Sequence, residues 1–247
     1  MPRARKRHVQ QSLQYLDKNQ QRRGIDKHYR PGRPPKGKRS SERHKVREPF
    51  KPTEPLHVTI RVTREVGKLR KRHLYRAIRR AMLTTYRRTS FRIVHASIQA
   101  THLHLIVEAD DREALSRGMQ GFQISAAKHI NAAIGIEEFA KRRRGSVFPD
   151  RYHPEIITSR RRARHCLAYV LNNWRRHRED QLEVARDLEI DPFSTAPSFR
   201  GWRGAPDNLW PAAYEALPAA PPKTWLLREG WKMYGLIDPE EIPGDKA

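Results

Sequence analysis

Two short fragments of the chain carry side chains that could do chemistry together. His102 and His104 are two residues apart in an apolar run, and residues at that spacing lie on the same side of a strand. Tyr169 and Asn173 are four residues apart in an arginine-rich segment, and that spacing places them on one side of a helix. Two imidazoles on one face of a strand can share a divalent ion. If the two fragments meet in the fold, they form a metal site beside a phenol.

Each fragment alone has an ordinary explanation. In a chain with 12 histidines a His-x-His pair arises by chance about as often as not. A tyrosine at the edge of a hydrophobic core usually keeps its hydroxyl in water, and an asparagine on a helix is usually solvated. The joint occurrence of the two fragments in a basic chain is what makes a functional site the sharper hypothesis.

The charge of the chain indicates a polyanionic partner. The 247 residues include 51 Lys and Arg against 27 Asp and Glu, a formal net charge of +24. Residues 1–51 contribute +13 and residues 52–178 contribute +17, whereas residues 179–247 contribute −6. Lysine and arginine release condensed counterions from phosphates, so we expect nucleic acid to bind the first two-thirds of the chain. A generic basic protein or a ribosomal RNA binder has the same composition.

Other protein classes are excluded or disfavoured by composition. Cys166 is the only cysteine, which excludes an intramolecular disulfide and a cysteine-clustered zinc site. No apolar run approaches the roughly 20 residues of a membrane span, and the basic N-terminus lacks the apolar core of a secretory signal. We expect no membrane partner and a cytoplasmic location.

The chain divides into three predicted parts. Residues 1–51 are rich in Arg, Lys, Gln and Pro and are expected to form a disordered basic arm. Within this arm Arg33, in a Gly-Arg-Pro core, resembles an AT-hook that binds the minor groove, with plain electrostatic tethering as the alternative. Residues 52–180 are expected to form a catalytic domain. Residues 181–247 are an acidic C-terminal extension that we expect to fold back on it.

Hydrophobic periodicity predicts the elements of the middle domain. Strands are expected at 57–62, 91–99 and 102–108 and within 146–158, and helices at 72–88, at 110–133 with a stop at Gly135, and at 160–178. Only two residues separate the second and third strands, which predicts an antiparallel hairpin. The order of elements indicates an α+β, ferredoxin-like fold, an antiparallel sheet with helices on one face. The histidines are then expected on its open face, because Leu103, Leu105 and Val107 take the other.

The same motifs carry a family resemblance over residues 56–178. The strand His-Leu-His at 102–104 resembles the histidine–hydrophobe–histidine strand of the single-tyrosine (HUH) transposases. The segment Val-Phe-Pro-Asp-Arg-Tyr-His at 147–153, followed by Tyr-Val-Leu-Asn-Asn at 169–173, is similar to the REP-associated tyrosine transposases. The resemblance implies that the chain is a metal-dependent DNA transposase with the HUH domain fold.

The resemblance also implies roles for individual residues. His102 and His104 match the metal-binding histidines, Asn173 matches the position of a third ligand, and Tyr169 matches the nucleophile. The implied ion is Mg²⁺ or Mn²⁺, and the implied reaction cleaves and rejoins single-stranded or hairpin DNA through a covalent 5′-phosphotyrosine. Relatives act as homodimers or as monomers, so the sequence leaves both open. Near these motifs three arginines are candidate phosphate contacts, with solvated surface charge as the alternative: Arg151, Arg175 and Arg176.

Departures from the family pattern keep other functions open. Relatives commonly have Pro-Asn before the first histidine, where this chain has Ala100-Thr101, and Pro after the asparagine, where this chain has Trp174. An inactive, domesticated protein that still binds hairpin DNA is therefore the alternative function. A ferredoxin-like RNA-binding module is a third hypothesis, and it would need exposed aromatic rings on the sheet.

Overall fold

The fold is built on one four-stranded sheet. The computed structural model describes residues 48–139, 143–182, 185–204, 206 and 214–244, so most of the predicted arm, with Arg33, lies outside the described residues. The strands are β1 (Leu56–Arg61), β2 (Phe91–Ile98), β3 (His102–Ala109) and β4 (His153–Ile156). They lie in the order β2-β3-β1-β4, and every neighbouring pair is antiparallel.

Three long helices connect or follow the strands. They are α1 (Arg72–Tyr86), α2 (Arg112–Phe139) and α3 (Arg160–Arg176). The observed order is strand, helix, strand, strand, helix, strand, helix, so the predicted α+β, antiparallel architecture is confirmed. α2 continues past the predicted stop at Gly135. A glycine inside a helix costs about 1 kcal/mol relative to alanine, and it does not by itself end the helix.

One face of the sheet is a continuous apolar core. Alternate residues of β1 and β3, such as Val58, Leu103 and Leu105, are fully buried there against α1 and α2. Ile78 of α1 and Phe122 of α2 are equally inaccessible to solvent. The apolar residues at a spacing of two in the strands therefore pack against the apolar residues at helical spacing in α1 and α2.

The opposite face of the sheet is covered by α3. We expected all the helices on one face of the sheet. α1 and α2 share a face, but α3 packs on the opposite face. Its apolar residues Leu167 and Val170 are buried in a second core with Val94 of β2 and Ile106 of β3. The face that carries the histidines is therefore not open, because the apolar arc of α3 must be buried and Val94 and Ile106 provide the surface for it.

The C-terminal extension folds back on this second core, as expected. The short helix α4 (Trp225–Arg228) and the 3-10 turn Gly230–Tyr234 bury Leu227 and Trp231 against it. The extension is also tied to α3 by an ion pair between Arg164 and Glu241. The proposed domain boundaries stay a prediction. Within the described part of the chain, no helix has the length and apolarity needed to cross a membrane.

Candidate active site

The two predicted metal-binding histidines meet on β3. The Nε2 atoms of His102 and His104 lie 2.9 Å apart, and their ring planes are perpendicular. The His104 ring is almost fully buried. Two nitrogens about 2.1 Å from one octahedral ion and at right angles around it are about 3 Å apart. The observed separation therefore fits two ligands of one ion, and it also fits a hydrogen bond between the rings.

Strand β1 supplies two contacts to His104 that the sequence analysis did not assign. The Nδ1 atom of His104 lies 3.0 Å from Nε2 of His57 and 3.3 Å from the Thr59 hydroxyl. The alternation in 57–62 already placed these two side chains on one side of a strand. Their proximity to His104 depends on the β1–β3 register, which pairs Thr59 with His104. That register is a long-range property that no local pattern in the sequence reports.

Tyr169 lies beside the histidines, as the sequence predicted. Its ring makes edge-on contacts with His104, at 5.0 Å between centroids, and with His57, at 5.7 Å. The helix that presents it begins at Arg160 and is capped by Ser159, whose hydroxyl accepts a hydrogen bond from the Arg162 amide. The phenol is half-buried, between the apolar arc of α3 and the polar part of the sheet.

Asn173 lies one helical turn after Tyr169 and has no exposed surface. Neither atom of its amide has a hydrogen-bond partner among the described residues. One turn further along, the His177 ring lies 6.1 Å from that of His102. Because Tyr169 meets His104 and His177 meets His102, the residue between them on the same side of the helix faces the imidazole pair. A buried amide without partners costs about 1–3 kcal/mol, and a ligand that accepted or donated a hydrogen bond, or bound the amide oxygen, would remove part of that cost.

Burial keeps the imidazoles of the site neutral. It lowers the pKa of His102 to about 4 and that of His57 to about 4. Burial, reinforced by the neighbouring His57 and His102, lowers the pKa of His104 to about 2. Metal ions bind the neutral imidazole, so protons compete little for these nitrogens near pH 7.

The predicted donor set consists of two imidazole nitrogens and one amide oxygen. No group of three or more His, Cys, Asp or Glu side chains suited to a metal is found in the described ranges. A metal site at His102 and His104 would need a further donor, which the amide oxygen of Asn173 could provide, and the remaining positions of an octahedral ion would fall to water and phosphate oxygens. The unpartnered amide and the spacing of the two Nε2 atoms fit such an ion.

The predicted DNA-binding arginines fall in different environments. Arg151 is exposed in the loop before β4, and Arg176 is exposed at the end of α3 with one 3.4 Å hydrogen bond to the Pro243 carbonyl. Arg175 is largely buried and donates to the carbonyls of Pro239 and Glu189. Its guanidinium therefore holds α3 to the extension, and contact of Arg175 with DNA stays a prediction.

Two further polar groups near the motifs serve the fold. His95 is buried, with Nδ1 3.0 Å from the Thr195 hydroxyl. The Glu108 carboxylate accepts hydrogen bonds of 2.8 Å from the backbone amides of Lys223 and Thr224. Both residues thus hold the C-terminal extension against the sheet.

Comparison with known proteins agrees with these motifs. The family model described as "Transposase IS200 like" matches residues 55–173. Over these residues, slightly fewer than half of the chain, the protein is similar to the IS200-like transposases. The match spans β1 to α3 and ends at Asn173, and it confirms the family resemblance predicted from the paired motifs. No curated protein matches the chain.

Two solved structures resemble this chain. One is described as a REP-associated tyrosine transposase bound to a REP hairpin, with 17% identity, a TM-score of 0.47, and coverage of 71% of this chain and 99% of that one. The other is a putative transposase from Deinococcus radiodurans R1, with 12% identity, a TM-score of 0.32, and coverage of 58% and 98%. At these low values neither structure supports an argument about function.

Proposed function

We propose that this protein is an IS200-like transposase that cleaves and rejoins single-stranded or hairpin DNA through a covalent bond between Tyr169 and a 5′ phosphate. In this proposal His102, His104 and Asn173 hold a divalent ion, Mg²⁺ or Mn²⁺. When bound, the ion acts as a Lewis acid on the scissile phosphate. The observation that supports the proposal most is the contact of the Tyr169 ring with His104, beside the unpartnered amide of Asn173.

The chemical step is an in-line displacement at phosphorus. The phenolic oxygen of Tyr169 loses its proton to solvent and forms a bond to the phosphorus, while the bond from phosphorus to the 3′ oxygen breaks. The 3′ oxygen leaves with a proton from solvent, which yields a 5′-phosphotyrosine and a free 3′ hydroxyl. Attack of a 3′ hydroxyl on that intermediate reverses the step and joins the strands.

The chain contributes mainly orientation to this step. Tyr169 and Asn173 come from one helix, and the histidines come from one strand, so two rigid elements fix the four side chains. The packing of Leu167 and Val170 on Val94 and Ile106 sets the position of α3 over the sheet. Holding a nucleophile in line with a phosphate replaces a bimolecular encounter with an oriented, effectively unimolecular reaction.

The proposal is tested by trapping the intermediate. The full chain is incubated with labelled single-stranded and hairpin DNA and Mn²⁺, denatured, and examined for label that migrates with the protein. We expect an adduct with the wild-type protein and its loss in Tyr169→Phe, because phenylalanine has no oxygen to attack. Tyr86→Phe is the matched control, since Tyr86 is half exposed at the end of α1, on the other side of the sheet, and should leave the adduct intact.

Two outcomes would overturn the proposal. An adduct that survives in Tyr169→Phe would exclude Tyr169 as the nucleophile. Tight binding of hairpin DNA without an adduct, under Mg²⁺ and under Mn²⁺, would favour the inactive DNA-binding protein that the motif departures suggest.

A further inference from the structure

We propose that His57 is a positioning residue that holds the His104 ring in the tautomer able to bind a metal ion. This inference rests on the proposed function, in which His104 is a ligand. No motif pointed to His57, and it lies at the start of β1, 47 positions before its partner in the chain. Its role follows from the contact between the two imidazoles.

The geometry of the contact suits a hydrogen bond between the rings. Nε2 of His57 lies 3.0 Å from Nδ1 of His104, and the ring planes differ by 28°. An imidazole N–H and an imidazole lone pair both lie in the plane of their ring. Two nearly coplanar rings that meet through their nitrogens can therefore align donor with acceptor.

The direction of this hydrogen bond decides whether His104 can be a ligand. If Nδ1 of His104 carries the proton and donates it to His57, the Nε2 atom of His104 keeps a lone pair. That lone pair is directed towards Nε2 of His102, which lies 2.9 Å from Nε2 of His104. The ion is proposed to bind both nitrogens. In the opposite tautomer a proton on Nε2 of His104 occupies this space and prevents binding. Metal-ligating histidines usually donate their second N–H to such a partner.

A second acceptor is present but its contact is longer. The Thr59 hydroxyl lies 3.3 Å from the same Nδ1 atom, directly across the β1–β3 pairing. We therefore expect Thr59→Val to have a smaller effect than the loss of the His57 ring. The edge of the Tyr169 ring also contacts His57, so the same imidazole touches both a proposed ligand and the proposed nucleophile.

The experiment measures metal binding and tautomer, without relying on activity. Mn²⁺ is titrated into the full chain, and the free ion is followed by electron paramagnetic resonance. We expect His57→Ala to weaken Mn²⁺ binding by about 10- to 100-fold, the range typical of lost outer partners of a ligand. His57→Gln, whose amide oxygen can accept from Nδ1, should recover most of the affinity. His129→Ala is the matched control, because His129 lies on α2, which packs on the other side of the sheet.

The tautomer is read from ¹⁵N chemical shifts of the metal-free protein, with the His104 signals assigned by their absence in His104→Ala. We expect the proton on Nδ1 in the wild type and its redistribution to Nε2 in His57→Ala. Unchanged Mn²⁺ affinity together with an unchanged tautomer in His57→Ala would overturn the inference. If His57→Ala does not fold, His57→Leu fills the space without an acceptor and is used instead.

Failure of the proposed function gives a different result from failure of this inference. If the wild-type protein binds no Mn²⁺, the proposed metal role is wrong, and the tautomer alone decides the role of His57. A shift of the proton in His57→Ala then still supports positioning, whereas an unchanged proton position overturns it.

Discussion

The two faces of the sheet differ in what their buried side chains do. Towards α1 and α2, the strands present apolar residues such as Leu103 and Leu105, packed on residues such as Phe122. Towards α3, the same strands present His102 and His104 beside a smaller apolar core. Because successive residues of a strand point to opposite faces, β3 contributes to both. One side of β3 therefore contributes to the stability of the core, and the other side carries the side chains of the candidate site.

The largest expected effect is a difference in the free energy of unfolding between substitutions on the two faces. Phe122→Ala removes a fully buried ring from the apolar face, and we expect it to lower the free energy of unfolding by about 3–5 kcal/mol. His104→Ala should abolish Mn²⁺ binding at a smaller cost in stability, because its ring has mainly polar neighbours. Urea denaturation without metal and Mn²⁺ titration measure the two properties. Equal losses of stability in both variants would contradict the division between faces.

Two adjacent asparagines on α3, the helix that covers the histidines, differ in whether their buried amides have hydrogen-bond partners. Both Asn172 and Asn173 are fully buried, but Asn172 donates hydrogen bonds to the carbonyls of Asp238 and Glu241. Asn172→Leu leaves those buried carbonyls without their donor, so it should destabilise the protein by about 1–3 kcal/mol. Asn173→Leu removes an amide without partners, and it should leave the metal-free protein as stable or more stable.

The asparagine pair should show the reverse order in metal binding. We expect Asn173→Leu to weaken the stabilisation by Mn²⁺ that thermal unfolding records, and Asn172→Leu to retain it. A metal-free Asn173→Leu protein that unfolds as readily as Asn172→Leu would show that Asn173 serves the fold and not a ligand.

His95, a buried histidine that is not a proposed ligand, makes the stability of the protein depend on pH. Burial lowers the pKa of His95 to about 4, below its ordinary value of 6.5. Between these values the unfolded chain binds more protons than the folded one, so the free energy of unfolding falls as the pH drops through this window. His95→Gln should make that decline shallower by about one proton. Urea denaturation across this pH range measures it, and an unchanged slope would mean that His95 is protonated in the folded protein.

The smallest expected effect concerns the arginines. If exposed Arg151 contacts a phosphate, Arg151→Ala should reduce the slope of log affinity against log salt by about 0.7 for single-stranded DNA. Arg175→Ala should leave that slope unchanged and lower stability instead, because its guanidinium is bonded to the extension. Fluorescence anisotropy at several salt concentrations distinguishes the two. The opposite pattern would return Arg175 to the DNA-binding surface.

Local patterns in the sequence were enough to predict the elements and to single out His102, His104, Tyr169 and Asn173, whose roles stay predictions. The period of two around His102 and His104 and the spacing of four between Tyr169 and Asn173 are short-range properties that the observed strand and helix retain. His57 was missed because its contact depends on the β1–β3 register. The position of Arg175 was missed because the carbonyls that accept its hydrogen bonds lie 14 and 64 residues away in the chain. The contacts of His57 and Arg175 both depend on residues that are distant in the chain, and residue type alone does not predict them.

Peptide mapping of the trapped adduct tests the central claim most directly. Wild-type protein is reacted with single-stranded or hairpin DNA and Mn²⁺, the DNA is trimmed by nuclease, and the protein is digested with trypsin. The peptide 165–175 contains Tyr169 as its only tyrosine. We predict that mass spectrometry finds a 5′-phosphonucleotide on this peptide. An adduct on a peptide with another tyrosine, or none on any peptide, would contradict the account.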